Sequence, residues 1–209
     1  MRLGGGLSGQ VLQELERRSE MEAKKEKGAE FDPGRFIGSW IGCWKEIILR
    51  PKEFFDLMPT DGGYRNPFFF ALISWVIGGV LSAAVRVRPA TILLFPVAAL
   101  VGLLILSTIL YLSATLVVRG TGSFKGTFRV GAYASALNVL TWVPIVGPLI
   151  GIYGIYLMVV GVERVHNLTT REAVIAVVLP IIVLLLLFAL LALAVGMGAF
   201  MFMGIFGPR

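Results

Sequence analysis

From position 67 onward the chain alternates long apolar blocks with short polar or proline-containing breaks. The blocks cover residues 68–85, 97–118, 123–143, 149–162 and 170–195. A helix needs about 20 mostly apolar residues to cross a bilayer, so the pattern predicts an all-α, polytopic integral membrane bundle with five transmembrane helices. In the first block Gly78 with Ser82 and Gly79 with Ala83 place small residues four apart, where helices approach closely. Residues 90–96, ending at Pro96, read as an interfacial or reentrant lead into the second block. Ser123 is a plausible N-cap for the third block, from which Lys125 and Arg129 would snorkel to the surface. That block stops at the uncharged turn Pro144-Ile145-Val146-Gly147-Pro148. In the short fourth block Gly147, Gly151, Gly154 and Gly161 mark a side suited to tight packing against the third. Thr169 and Glu172 have capping-box spacing at the start of the fifth block. Residues 197–209 form an apolar tail rich in Gly and Met.

Ahead of the blocks the periodicity changes. Phe36, Ile37, Trp40, Ile41, Trp44, Ile47 and Ile48 recur at three- and four-residue intervals, while Ser39, Lys45, Glu46 and Arg50 fall elsewhere. This predicts an amphipathic helix too short and too charged to span, with Trp40 and Trp44 at the headgroup boundary. Pro51 can open a further short helix carrying Phe54 and Phe55, stopped by Pro59 and the Asp61-Gly62-Gly63 turn. For both helices, lying on the membrane and packing against the bundle are the two open readings. Residues 11–27 have helix-forming composition with pairs such as Glu14 and Arg18, either a solvated helix or a docking helix for a cytosolic partner. The chain thus divides into a charged amino-terminal segment (1–34), interfacial helices (35–66), a transmembrane domain (67–196) and the tail.

Composition narrows the class. With 56% apolar and 15% charged residues and a mean hydropathy of +0.83, the chain lies outside the range of soluble domains. The net charge of +6 arises wholly after residue 66, where eight basic residues face two acidic ones. Basic residues in short loops fix orientation, so this charge does not argue for nucleic acid. Arg119, Lys125, Arg129, Arg164 and Arg171 fall on one side and Arg86, Arg88 and Arg209 on the other. The expected arrangement has the amino terminus cytoplasmic and the carboxy terminus outside. The sequence MRLGGGLSGQ has no apolar core or cleavage site of a signal peptide. The single Cys43 excludes an internal disulfide and reads as a small half-buried apolar residue.

The hairpin and its flanks resemble the Yip (Ypt-interacting protein) domain family. The resemblance rests on Gly122-Ser123-Phe124-Lys125, Ala132-Tyr133-Ala134, Pro144-Ile145-Val146-Gly147, Tyr153, Tyr156, Val160-Gly161-Val162 and Ala173, and upstream on Trp44-Lys45-Glu46-Ile47-Ile48, Pro51 and Phe54-Phe55. It implies a five-span helical domain with a cytoplasmic amino terminus. Eukaryotic relatives act in membrane traffic between endoplasmic reticulum and Golgi, and associate with Rab-type small GTPases and with one another. The chain lacks their Asp-Leu-Tyr-Gly-Pro stretch and carries Asp56-Leu57-Met58-Pro59 before the first span. Its compact amino terminus resembles a prokaryotic member, placed in the cell membrane.

Candidate chemistry is sparse. No ionisable group falls inside the five expected cores, which argues against a pump. Asn138, inside the third block, reads as an interhelical hydrogen-bonding residue or part of a solute path. His166 stands at a loop edge beside Glu163, where a solvated or headgroup-facing role is expected. One histidine and one cysteine give no metal-ligand spacing, no cofactor is implied, and no nucleophile, base and oxyanion donor can be assembled. The sequence therefore leads to a non-enzymatic scaffold or adaptor whose partners are the bilayer, a cytosolic protein and a second copy of the chain, with a small GTPase implied by the resemblance alone. Lys125, Arg129, Arg164, His166 and Arg171 are its partner-facing loop residues. The rival expectation is a homo-oligomeric channel or facilitator built on Asn138, Pro144, Gly147, Gly151 and Gly154.

Overall fold

The computed structural model describes residues 30–86, 91–143 and 147–206, together with Leu15 and Arg17. The helix expected at 11–27, Pro144 and Arg209 lie outside the described residues. Among those described there is no strand. A 3-10 turn at Pro33–Arg35 leads into α1 (Phe36–Leu49) and α2 (Pro51–Leu57), which Pro51 opens at a position where its missing N–H costs nothing. Then follow α3 (Arg65–Arg86) and α4 (Thr91–Leu112), which widens into a π-turn at Ser113–Val117. Next comes α5 (Phe124–Ala134), tightening into a 3-10 segment at Ser135–Leu140, then α6 (Gly147–His166) and α7 (Thr170–Phe206).

The expected caps form. Ser123 accepts the Gly126 N–H at 3.2 Å to start α5. At α7 the Thr169 N–H donates to Glu172 Oε2 at 2.8 Å, and the Glu172 N–H donates to Thr169 Oγ1 at 3.4 Å. Helix α6 ends with Asn167 in the left-handed region (φ 53) and the Leu168 N–H on the Glu163 carbonyl at 3.0 Å, the C-terminal closure that satisfies late carbonyls.

Among the described residues four helices contain stretches long and apolar enough to cross a membrane: Arg65–Ser82, Val97–Val117, Leu149–His166 and Thr170–Val195. The third expected span differs. It is an 11-residue α-helix prolonged by six residues of 3-10 turn, and every residue from Gly126 to Leu137 is buried. Helices α3, α4 and α6 pack around it. Because protein surrounds it, α5 tolerates Thr127 and Arg129 within two turns, a composition a lipid-facing span would not carry. Two further boundaries change. Residues 91–96 form the opening of α4, with Pro96 inside the helix, so the expected lead is continuous with the second span. The expected apolar tail is helical as far as Phe206.

The bundle closes on α5 through missing side chains. At Gly161 of α6 an added Cβ would fall 2.8 Å from Val130 Cγ2, and at Gly78 of α3 one would fall 2.8 Å from the Asn138 carbonyl carbon. Gly154 meets Leu137 at an ordinary distance, whereas Gly151 has open space beside it, so of the expected glycine side it is Gly161 that makes the tight approach. Asn138 likewise contributes backbone. Its side-chain amide donates locally to the Ser135 carbonyl at 3.2 Å, and no bond from that amide to another helix is found. A bulky residue at Gly78 must push a backbone carbonyl, which unlike a side chain has no rotamer to retreat to. Gly78→Leu is therefore expected to destabilise the bundle by about 2–3 kcal/mol or more, measurable as a lowered denaturation midpoint in detergent, with Gly151→Leu nearly silent.

Candidate functional site

The start of α5 lies beside the end of α6. The Thr121 N–H donates to the His166 carbonyl at 3.2 Å, and Arg129 reaches Gly63 just before α3. This is the polar end of the bundle, and the amino-terminal arm is built into it. The Arg129 guanidinium is wholly buried. Its Nη2 donates to Glu30 Oε1 at 2.7 Å, its Nη1 donates to the Gly63 carbonyl at 2.8 Å, and its Nε has no partner among the described residues. Gly62 lies so close over the guanidinium that a Cβ there would collide with it. The surface role expected of Arg129 is thus corrected. Its position one turn into an enclosed helix leaves no route to solvent, and Glu30 comes to it instead.

His166 is also corrected, being 1% exposed at the last turn of α6. The Nε2–Thr127 Oγ1 distance is 2.8 Å, and Thr127 Oγ1 also donates to the Ser123 carbonyl at 3.2 Å. Its Nδ1 is buried without a partner and faces the 120–122 loop, where a Cβ on Gly122 would lie 2.8 Å from it. A hydroxyl beside an imidazole has the form of a nucleophile and base, but Thr127 is wholly buried, so nothing reaches its oxygen. Lys125 and Arg171 are exposed as expected. Arg164 is half-exposed and pairs with Asp56 of α2 at 3.3 Å, a contact worth little in water. Around that pair lies a cavity of about 280 Å³ lined by Lys52, Asp56, Glu163, Arg164 and Asn167. A second, of about 480 Å³, extends from Asp56 and Arg164 to Asp61 and Gly62. The polar end therefore presents an open charged cleft between α2 and the α6–α7 connection.

The arm covers α5 with an aromatic seam. The Phe31 N–H donates to Tyr133 Oη at 3.3 Å, and the Tyr133 ring sits 5.0 Å from Phe54 and 5.1 Å from Phe70. Trp40 Nε1 donates to Ser74 Oγ at 3.3 Å and Trp44 Nε1 to the Ala136 carbonyl at 3.0 Å. Tyr153 Oη donates to the Ile48 carbonyl at 2.7 Å. Phe54 and Phe55 are fully buried in this seam, which corrects their membrane-interface assignment: they close the side of α5 that α3, α4 and α6 leave open. Trp40 and Trp44 are half-buried on the same side. The outward side of α1 carries Phe36 51%, Ile37 71%, Ile41 39% and Leu49 74% exposed, with the exposed Lys45 among them.

A family model for the Yip1 domain matches residues 45–206. The chain belongs to the Yip1 domain family. No curated protein and no solved structure matches it. The matched region of this Yip1-domain protein begins within α1 and ends with α7, so it holds Arg129, Tyr133 and His166 but not Glu30 or Phe31. Its apolar spans make it a membrane protein. Glu30 was invisible to periodicity because it stands in an irregular stretch between two glycines.

Cys43 reports on the seam. Its thiol is buried on the inner side of α1, and burial, reinforced by Glu46, pushes its pKa up to about 12. Only the thiolate reacts with alkylating reagents. At pH 8 labelling is therefore expected to run on the order of a thousand-fold slower than for a free thiol of pKa ~8.5, and to quicken about tenfold per pH unit below 12. Rapid labelling of the intact protein at pH 8 would contradict a docked arm.

Proposed function

We propose that this Yip1-domain membrane protein is a non-catalytic scaffold or adaptor that couples a cytosolic partner to its bundle through the amino-terminal arm. The observation that carries this reading is the Glu30–Arg129 pair with the Tyr133 seam behind it. An arm held by a buried ion pair passes any pull on residues before Glu30 directly to the central helix. The charged cleft around Arg164 and Asp56 supplies a second contact for the partner, for which the family suggests a small GTPase. In this reading the polar end is cytoplasmic, because Arg119, Lys125, Arg164 and Arg171 gather there, and the outward side of α1 rests at the membrane surface. Helix α5 with its 3-10 extension makes the fifth crossing. Eleven residues at about 1.5 Å and six at about 2.0 Å give roughly 28 Å, close to the ~30 Å hydrocarbon thickness.

The test is affinity co-purification from native membranes in mild detergent. The intact chain is compared with a truncation lacking residues 1–28, which keeps Glu30, and one lacking 1–34, which does not. A stoichiometric soluble partner retained by the intact chain and lost from the first truncation supports the adaptor. The same homo-oligomer with no soluble partner in all three preparations would sink it.

A further inference from the structure

Among the described residues the wholly buried Arg129 is under-satisfied. A guanidinium presents five N–H donors in a rigid fork, and a carboxylate or phosphate meeting it side-on takes Nε and one Nη together. Here Glu30 meets only Nη2 through one oxygen, Gly63 takes Nη1, and Nε is left unpartnered inside the protein. A buried donor without an acceptor is costly and calls for an explanation. The two partners also differ in kind. Arg129 is anchored in a regular helix within the matched domain, whereas Glu30 belongs to irregular backbone in the arm and its side chain is 21% exposed. The carboxylate can therefore leave by the side through which solvent already reaches it, and the cation cannot follow. Arg129 stands one turn and a half into α5, beside Gly63, which lies just before α3.

We propose that Arg129 is an anion-binding site for a phosphate group, which Glu30 occupies from within and which opens when the arm withdraws. A phosphate would take Nε and Nη2 side-on, using the donor Glu30 leaves idle. The site rests on the geometry of the pair and stands whether or not the adaptor reading holds, since it needs no protein partner.

The experiment uses the full chain in nanodiscs. Wild type, Glu30→Gln and Glu30→Gln/Arg129→Lys are titrated in zwitterionic lipid with inorganic phosphate, and in nanodiscs of increasing phosphatidic acid content, with thermal midpoint and Cys43 alkylation as readouts. Glu30→Gln weakens the internal competitor and is expected to respond at phosphate or phosphatidic acid levels at least tenfold lower than wild type needs. Lysine at 129 keeps the charge but loses the fork, and should abolish most of that gain. A response to inorganic phosphate identifies a soluble ligand, and one to phosphatidic acid alone identifies a lipid headgroup; both support the site. No difference between Glu30→Gln and wild type in either titration, or an equal response with lysine at 129, overturns it. Glu30→Gln keeps an acceptor oxygen beside Arg129, and the thermal midpoint before any anion is added shows that each protein is folded.

Discussion

Glu30→Ala is expected to destabilise the protein by about 3–5 kcal/mol, more than the reciprocal replacement Arg129→Met. Removing one member of a buried ion pair leaves the other charge stranded, and the two members are not equally buried. Arg129 has no exposure and Glu30 is one-fifth exposed. Without Glu30 the guanidinium keeps only the Gly63 carbonyl and loses its counter-charge. Without Arg129 the carboxylate turns outward, and methionine fills the vacated space with no charge to desolvate. Denaturant or SDS titration in detergent measures both, and equal costs would mean that the pair is solvated in the working protein. An anion bound to the site stabilises the folded state by mass action, so added phosphate should return part of the loss in Glu30→Ala.

The second large effect is expected at Tyr133. Phe54 and Phe70 lie edge-on or tilted against its ring, and Phe31 donates to its hydroxyl. Tyr133→Ala opens a cavity where the arm, α3 and α5 meet, at a cost of about 3–5 kcal/mol. Tyr133→Phe removes one long hydrogen bond and should cost about 0.5–1.5 kcal/mol. Alanine is also expected to free α1 locally, so that Cys43 alkylation at pH 8 rises by about a hundred-fold or more, while phenylalanine leaves it slow. Destabilisation with no change at Cys43 would show that α1 docks independently of Tyr133.

The helical class, the end of α3 at Arg86, the start of α2 and both caps at Ser123 and Thr169 were legible in the sequence because each depends on neighbours within a few residues. What escaped was the inside of the bundle. The block from 123 to 143 is apolar enough to pass as a span, and hydropathy does not distinguish a helix facing lipid from one enclosed by protein. Arg129 and His166 were read as loop residues for the same reason, since burial of a polar side chain is decided by partners 99 and 39 positions away. Phe54 and Phe55 show the converse. Their apolar character was plain, but the surface they would seek, membrane or Tyr133, was a matter of tertiary placement. Gly161 was seen as part of a packing side, yet only its distance to Val130 separates it from Gly151.

Helix α7 has a mechanical consequence. Between Ala173 and Phe206 it carries 34 uncharged residues, a rod about 51 Å long at ~1.5 Å per residue, set in a hydrocarbon layer of about 30 Å. Its base is clamped, since Ala173, Ala176 and Val177 are buried against α4, its π-turn and α6. From Ile182 to Val195 every side chain is exposed, and Pro180 stands where the clamp ends. A rod so held cannot stand upright without driving its far end out of the hydrocarbon. A helix of that length meets the mismatch by tilting, bending or carrying its far end out of the layer. Pro180 thus divides α7 into a short arm locked to the bundle and a long, exposed apolar arm.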